Sequence, residues 1–121
     1  MDRIKFYLHK SRLILITDYS NLNPEQVLIV MEEAVSTIRR QEPKSLWVCA
    51  DFTNTKIEFK THMIPFKEYM IGNKPFVKYA AVVGLSPLIR KFYQLLMMMT
   101  GRNWPVLENR EDAYNWLAEQ K

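Results

Sequence analysis

The side chains that could carry chemistry are few, and their spacing is poor for catalysis. His9 and His62 stand in different segments, with no Cys or carboxylate at ligand spacing, so neither a metal site nor an imidazole acid–base pair is expected. His9 reads as a strand residue and His62 as a surface residue in the first turn of a helix. The single cysteine, Cys49, lies inside the apolar run Leu46 to Ala50, which predicts a packed, inert thiol and excludes an internal disulfide. Ser86 follows a strand and precedes a helix, the position of a hydrolase nucleophile. Its context, Gly84-Leu85-Ser86-Pro87, lacks the required Gly-x-Ser-x-Gly, and a helix cap explains it better. The three glycines, Gly72, Gly84 and Gly101, each read as terminators, which leaves none for a phosphate cradle. No enzyme activity, metal or cofactor is expected.

The methionines offer a different chemistry, since unbranched thioethers can line an adaptable apolar groove. On a helical wheel the arc Leu88, Phe92, Leu95, Leu96 and Met99 is expected to face the core, leaving Tyr93, Met97 and Met98 off it. With Met63, Phe66 and Met70 on the preceding helix, Tyr93 and Met97 would border a groove for a lipid or small apolar molecule. Arg90 and Lys91 would be available to its anionic head group. Tyr93, Met97 and Met98 are also the residues expected at the contact of a homodimer.

The formal net charge of +4 on 121 residues is unevenly placed. Residues 56–102 carry Lys56, Lys60, Lys67, Lys74, Lys78, Arg90, Lys91 and Arg102 against only Glu58 and Glu68. Such a patch suits a nucleic acid, an anionic lipid surface or an acidic protein, but a solvated lysine face is the simpler reading and no nucleic-acid partner is expected. No apolar run reaches the roughly 20 residues needed to span a bilayer. The N-terminus MDRIKFYLHK lacks the apolar core of a signal peptide. With the lone thiol, these features predict a cytoplasmic protein forming one domain over residues 1–121.

The elements that position these groups alternate. Ile4 to Leu8 and Leu13 to Ile16 predict a hairpin whose turn, Lys10-Ser11, lacks the usual Asn-Gly chemistry. Asn23, Pro24 and Gln26 form a capping-box start for a helix running to about Arg40, with Val27, Met31, Ala34, Val35 and Ile38 on its inner face. Ser45 to Phe52 reads as a buried strand ending at Asp51. Thr61 is a plausible cap for a helix closed by Gly72-Asn73, with Pro65 in its first turn. The run Val77 to Val83 predicts a second buried strand. It feeds a helix capped by Ser86, opened by Pro87 and stopped by Gly101. Pro105 restricts Trp104 to Leu107 to a sheet edge, and Asn109 caps a last helix. This order predicts an α/β fold: a mixed, mostly parallel sheet of about five strands with an N-terminal antiparallel hairpin and four helices.

The opening hairpin, the Asn-Pro-Glu helix start, Asp51-Phe52-Thr53, the run Asn73 to Lys78, Val83-Gly84, Thr-Gly-Arg-Asn at Thr100 to Asn103 and Asp-Ala-x-x-Trp-Leu at Asp112 to Leu117 together resemble the bacterial STAS-like proteins. These are relatives of the anti-sigma factor antagonists and are often grouped with the CRAL-TRIO lipid-carrier fold. The resemblance implies a non-enzymatic domain that binds proteins or small apolar ligands. Antagonists of this kind carry Asp-Ser-Ser-Gly at a strand end, with the second serine phosphorylated by a partner kinase. Asp51, Phe52, Thr53 and Asn54 occupy those positions here, so the resemblance implies a phosphoacceptor loop with Thr53 as the hydroxyl and Thr55 close by. The first serine and the glycine are replaced. A protein-binding surface is expected from Asp51 to Lys60, together with the helices on either side of Lys74 to Gly84.

Overall fold

A computed structural model describes residues 2–121. Nine elements follow in chain order: β1 (Ile4–His9), β2 (Arg12–Asp18), α1 (Pro24–Ile38), β3 (Leu46–Asp51), α2 (Phe59–Asn73), β4 (Val77–Val83), α3 (Pro87–Thr100), β5 (Val106–Leu107) and α4 (Arg110–Glu119). They form one five-stranded sheet in the order β1-β2-β3-β4-β5, with β1 antiparallel to β2 and the remaining pairs parallel. The expected mixed α/β architecture is the one observed.

Period-two alternation divides the sheet into two faces. Leu15, Val48 and Ala80 pack against α1 on one side, where α2 and α3 also lie, while Ile14, Ile16, Cys49, Ala81 and Val83 pack under α4 on the other. Burial pushes the Cys49 thiol up to about 12, so it remains a neutral core group. The hairpin turn is a tight one with left-handed backbone at both Lys10 (φ 48°) and Ser11 (φ 68°), the geometry that Asn-Gly usually supplies.

Local capping chemistry sets most helix ends. Asn23 and Gln26 make the reciprocal box that opens α1. Ser86 and Pro87 open α3, Gly101 closes it in the left-handed region, and Asn109 accepts from the Asp112 amide to open α4.

Several expectations require correction. α1 ends at Ile38, so Arg39 and Arg40 lie just beyond it, and Val30 rather than Val35 joins its buried face. α2 begins at Phe59, so Thr61 is inside its first turn and Pro65 is interior. The cap comes instead from His62, which is fully buried and not on the surface. Its Nδ1 accepts from the Glu58 amide at 2.9 Å, which puts the proton on Nε2, where it donates to the Pro24 carbonyl at 2.9 Å and ties the starts of α1 and α2 together. Gly72 is not a terminator either. A Cβ there would lie 2.2 Å from Nη2 of Arg39, so glycine lets that guanidinium cross α2 and donate through Nε to Asn73 at 3.0 Å.

Candidate functional site

Two places stand out: the carboxyl ends of β2 and β3, and the interior between the sheet and helices α2 and α3. The strand ends carry a duplicated tetrad that is absent from the expectations above. Asp18-Tyr19-Ser20-Asn21 and Asp51-Phe52-Thr53-Asn54 end neighbouring parallel strands, with Asp18 paired to Asp51 in the register. In each, one carboxylate oxygen accepts from the amide two residues on at 2.9 Å and from that residue's hydroxyl at 2.6 Å. The aromatic residues stack at 4.9 Å with planes 2° apart. Both asparagines are left-handed, and Asn54 donates to Asn21 at 2.9 Å.

Arg110, the first residue of α4, joins the two halves. Its Nε meets Asp51 Oδ2 at 2.6 Å and its Nη2 meets Asp18 Oδ1 at 3.1 Å. Burial pushes the Asp18 carboxyl up, but the Ser20 bonds and the Arg110 charge outweigh it and hold the group below its ordinary value of 3.8. Burial likewise opposes the charge on Arg110, while the bond and charge of Asp51 more than restore it.

Within the expected acceptor loop, Thr53 and Asn54 are exposed, whereas Thr55 is buried and donates its hydroxyl to the Tyr19 carbonyl at 2.6 Å. Thr55 therefore holds the loop and is not presented to solvent. Gly84, after β4, backs the loop closely: at φ 80° its missing Cβ would fall 2.3 Å from the Thr53 hydroxyl.

The second place is a partly open cavity of about 100 Å³. Small side chains make its floor, Thr17 on β2, Ala50 on β3 and Ala80 on β4, beneath a roof that includes Phe66, Tyr69 and Met70 of α2 and Phe92, Tyr93 and Leu96 of α3. Among the expected groove residues, Phe66, Met70 and Tyr93 line it. Met63 packs beside the same core but not on the cavity wall. Met97 is buried, since α3 turns Ile89, Phe92, Leu96, Met97 and Thr100 inward and leaves Leu88, Leu95, Met98 and Met99 exposed. The dimer patch expected from Tyr93, Met97 and Met98 is correspondingly reduced to Met98, which is 81% exposed. Arg90 and Lys91 point to solvent, and the cations that do line the cavity are Lys74 and Arg102.

Besides Asn73 and Lys74, three polar features interrupt the apolar wall. The Thr17 hydroxyl is buried without a hydrogen-bond partner among the described residues, at 1% exposure. Tyr19 donates to the Tyr69 oxygen at 3.2 Å, and burial pushes both phenols up, Tyr69 to about 12. At the other end of the cavity Arg102 lies 4.7 Å over the Trp104 ring, and the Tyr93 hydroxyl donates to the Trp104 carbonyl.

His9 bonds Asn115 at 2.8 Å on the α4 side of the sheet, and His62 lies on the opposite side. Neither approaches the Asp18–Asp51 pair by any hydrogen bond or ion pair, and no cluster of three His, Cys, Asp or Glu side chains suited to a metal occurs among the described residues. No described helix is long and apolar enough to cross a membrane.

No protein-family model and no curated protein matches the chain. Among solved structures it is similar to an uncharacterized protein of the DUF3478 family with a SpoIIAA-like fold from Shewanella loihica PV-4. The two are 18% identical and superpose with a TM-score of 0.63, over 94% of this chain and 91% of that one. The chain therefore has a SpoIIAA-like, STAS-like fold, in agreement with the resemblance read from the sequence.

Proposed function

We propose that this SpoIIAA-like domain is a non-catalytic binder of a small apolar ligand, held in the cavity between the sheet and helices α2 and α3. The observation that carries the reading is the cavity itself. Protein cores are packed with few voids larger than a water molecule, so an apolar space of about 100 Å³ forfeits dispersion contacts that an occupant restores. Thr17, Ala50 and Ala80, from three neighbouring strands, are short on its floor beneath the aromatic roof.

A ligand held there stabilises the fold by mass action, by about 2.7 kcal/mol at a hundred times its Kd. That corresponds to a rise in Tm on the order of 10 °C for a domain of this size. Native mass spectrometry of protein purified without detergent, joined to thermal shifts across a fatty-acid and phospholipid panel, tests it. Ala50→Leu is the matching variant: filling the floor is expected to hold or raise the unliganded Tm and to abolish the ligand-induced rise. An apo mass with no shift across the panel would leave the reading without support.

A second reading concerns protein docking at the Thr53 loop, and the exposure of Thr53 beside Asp51 favours it. Phosphorylation there removes the hydroxyl proton that Asp51 accepts and sets nearly two negative charges beside its carboxylate, with Lys56 and Lys60 following in the chain. The loop is then expected to reorganise and change its affinity for a regulatory partner. Incubation with cell extract followed by phosphosite mapping should find phosphate on Thr53 and none on the buried Thr55. A pull-down that yields neither a partner nor phosphorylated Thr53 counts against this role.

A further inference from the structure

The cavity is polar at two separated points, and their chemistry constrains what enters it. Arg102 sits at the level where β4 begins: its Nη2 donates to the carbonyls of Lys74 at 3.0 Å and Val77 at 3.5 Å. Trp104 covers one face of the guanidinium, while its Nε and Nη1 donors have no hydrogen-bond partner among the described residues. No carboxylate pairs with Arg102 or Lys74 within salt-bridge distance among the described residues. Arg102 is only partly buried, and that burial works against its charge.

At the opposite end lies Thr17. In the register it pairs with Ala50, and Ala50 pairs with Val82, five residues along β4 from Val77. At the rise of an extended strand, that separates the two polar points by about 17 Å along the sheet. The Thr17 hydroxyl is buried, lines the cavity and lacks a partner, and the Tyr69 hydroxyl, which accepts from Tyr19, donates to no acceptor among the described residues. Between the points the wall is carbon: Ala50, Ala80, Val82, Met70, Phe92 and Leu96.

Resting on the cavity reading above, we infer that the ligand is an acyl chain with an oxygen at each end: a carboxylate placed against Arg102 and Lys74, and a hydroxyl or carbonyl oxygen accepting from Thr17. A monoanion suits a guanidinium with part of its donor set already spent on backbone carbonyls and a single flexible lysine beside it. The inner oxygen supplies the acceptor that the protein does not. A purely hydrocarbon tail leaves the Thr17 hydroxyl buried and unpaired, the costly arrangement.

Isothermal titration of the full chain with matched probes tests both ends: fatty acids of medium chain length, their methyl esters, and the same acids bearing a terminal hydroxyl. The acids should bind at least about ten-fold more tightly than the esters, and Arg102→Gln should close that gap, with Lys74→Gln as an independent, exposed variant that narrows it. The terminal hydroxyl should strengthen binding several-fold in the wild type. Thr17→Val should erase that preference, so that plain and hydroxy acids bind alike, and Thr17→Ser should retain it. Esters that bind as well as acids, or a hydroxyl preference indifferent to Thr17→Val, overturn the inference while leaving the apolar cavity reading intact. If acids, esters and hydroxy acids all fail to bind, the cavity reading itself fails.

Discussion

Gly84→Ala is expected to destabilise the domain by about 3–4 kcal/mol. Two independent costs add. At φ 80° an alanine occupies the left-handed region, which costs roughly 1–2 kcal/mol for an L-residue. The new Cβ would also lie 2.6 Å from the Thr53 amide nitrogen and 2.7 Å from its Cα. Those are backbone atoms, so no rotamer relieves the contact and the Asp51–Thr53 turn must move, a further overpacking cost of about 2 kcal/mol. Gly101 provides the control within the same fold. Its φ is 71° but a Cβ there meets nothing within 4 Å, so Gly101→Ala should pay the backbone term alone. Urea unfolding of the two variants separates strain from contact, and equal losses would mean that the Thr53 loop yields freely. A large excess at Gly84 would establish that the loop after β3 and the turn after β4 are mechanically one unit, so that chemistry on Thr53 is felt at the start of α3.

That coupling was hidden in the sequence for a reason that recurs throughout the chain. Signals confined to four or five residues were legible: the Asn23–Gln26 box, Ser86-Pro87, Gly101, and the two buried strands around Cys49 and Ala81. Helix orientation was not legible in α3, because its apolar arc is wider than the face that packs. Leu88, Leu95 and Met99 compete with Ile89, Phe92 and Leu96, and only packing against α2 and the sheet chooses between them. The start of α2 was misplaced because its cap is a histidine ring acting backward from inside the helix, stabilised by a carbonyl on α1. The cavity could not be read from one segment at all. It exists because residues from three strands, Thr17, Ala50 and Ala80, are short on the same face, a property of register. The tetrad is the exception. Asp-aromatic-hydroxyl-Asn occurs at 18–21 and again at 51–54, each time directly after an apolar strand, and the repetition alone would have pointed to Asp18 and Ser20.

What the repetition could not reveal is the cation that both carboxylates share. Arg110 occupies the first position of α4, where the helix dipole disfavours a positive charge, and its place is explained by Asp18 and Asp51 rather than by the helix. Arg110→Met keeps most of the aliphatic bulk and removes the charge. Two carboxylates on adjacent strands are then left facing one another, with Arg3, 3.7 Å from Asp18, the one cation among the described residues still paired with either and the Asp51 side chain only 8% exposed. Breaking a buried pair costs about 3–5 kcal/mol, and partial exposure of Arg110 and Asp18 reduces this to roughly 2–3 kcal/mol at pH 7.

The pH dependence distinguishes electrostatics from lost packing. In the wild type Asp18 is held below its ordinary 3.8, so its contribution is complete above that value and disappears as the pH falls through the lower, folded one. In Arg110→Met the Asp18 carboxyl loses the Arg110 charge that helps hold it low and takes up a proton more readily, so the variant is penalised most at neutral pH and relieved on acidification. The stability difference between wild type and variant should therefore shrink as the pH is lowered from 7 to below Asp18's ordinary 3.8, measured by urea unfolding at intermediate steps. Arg110→Lys, whose single ammonium cannot reach two carboxylates with the same fork, should fall between them. A difference that stays constant over this range would assign Arg110 a packing role and remove the electrostatic clamp from the account of the tetrad.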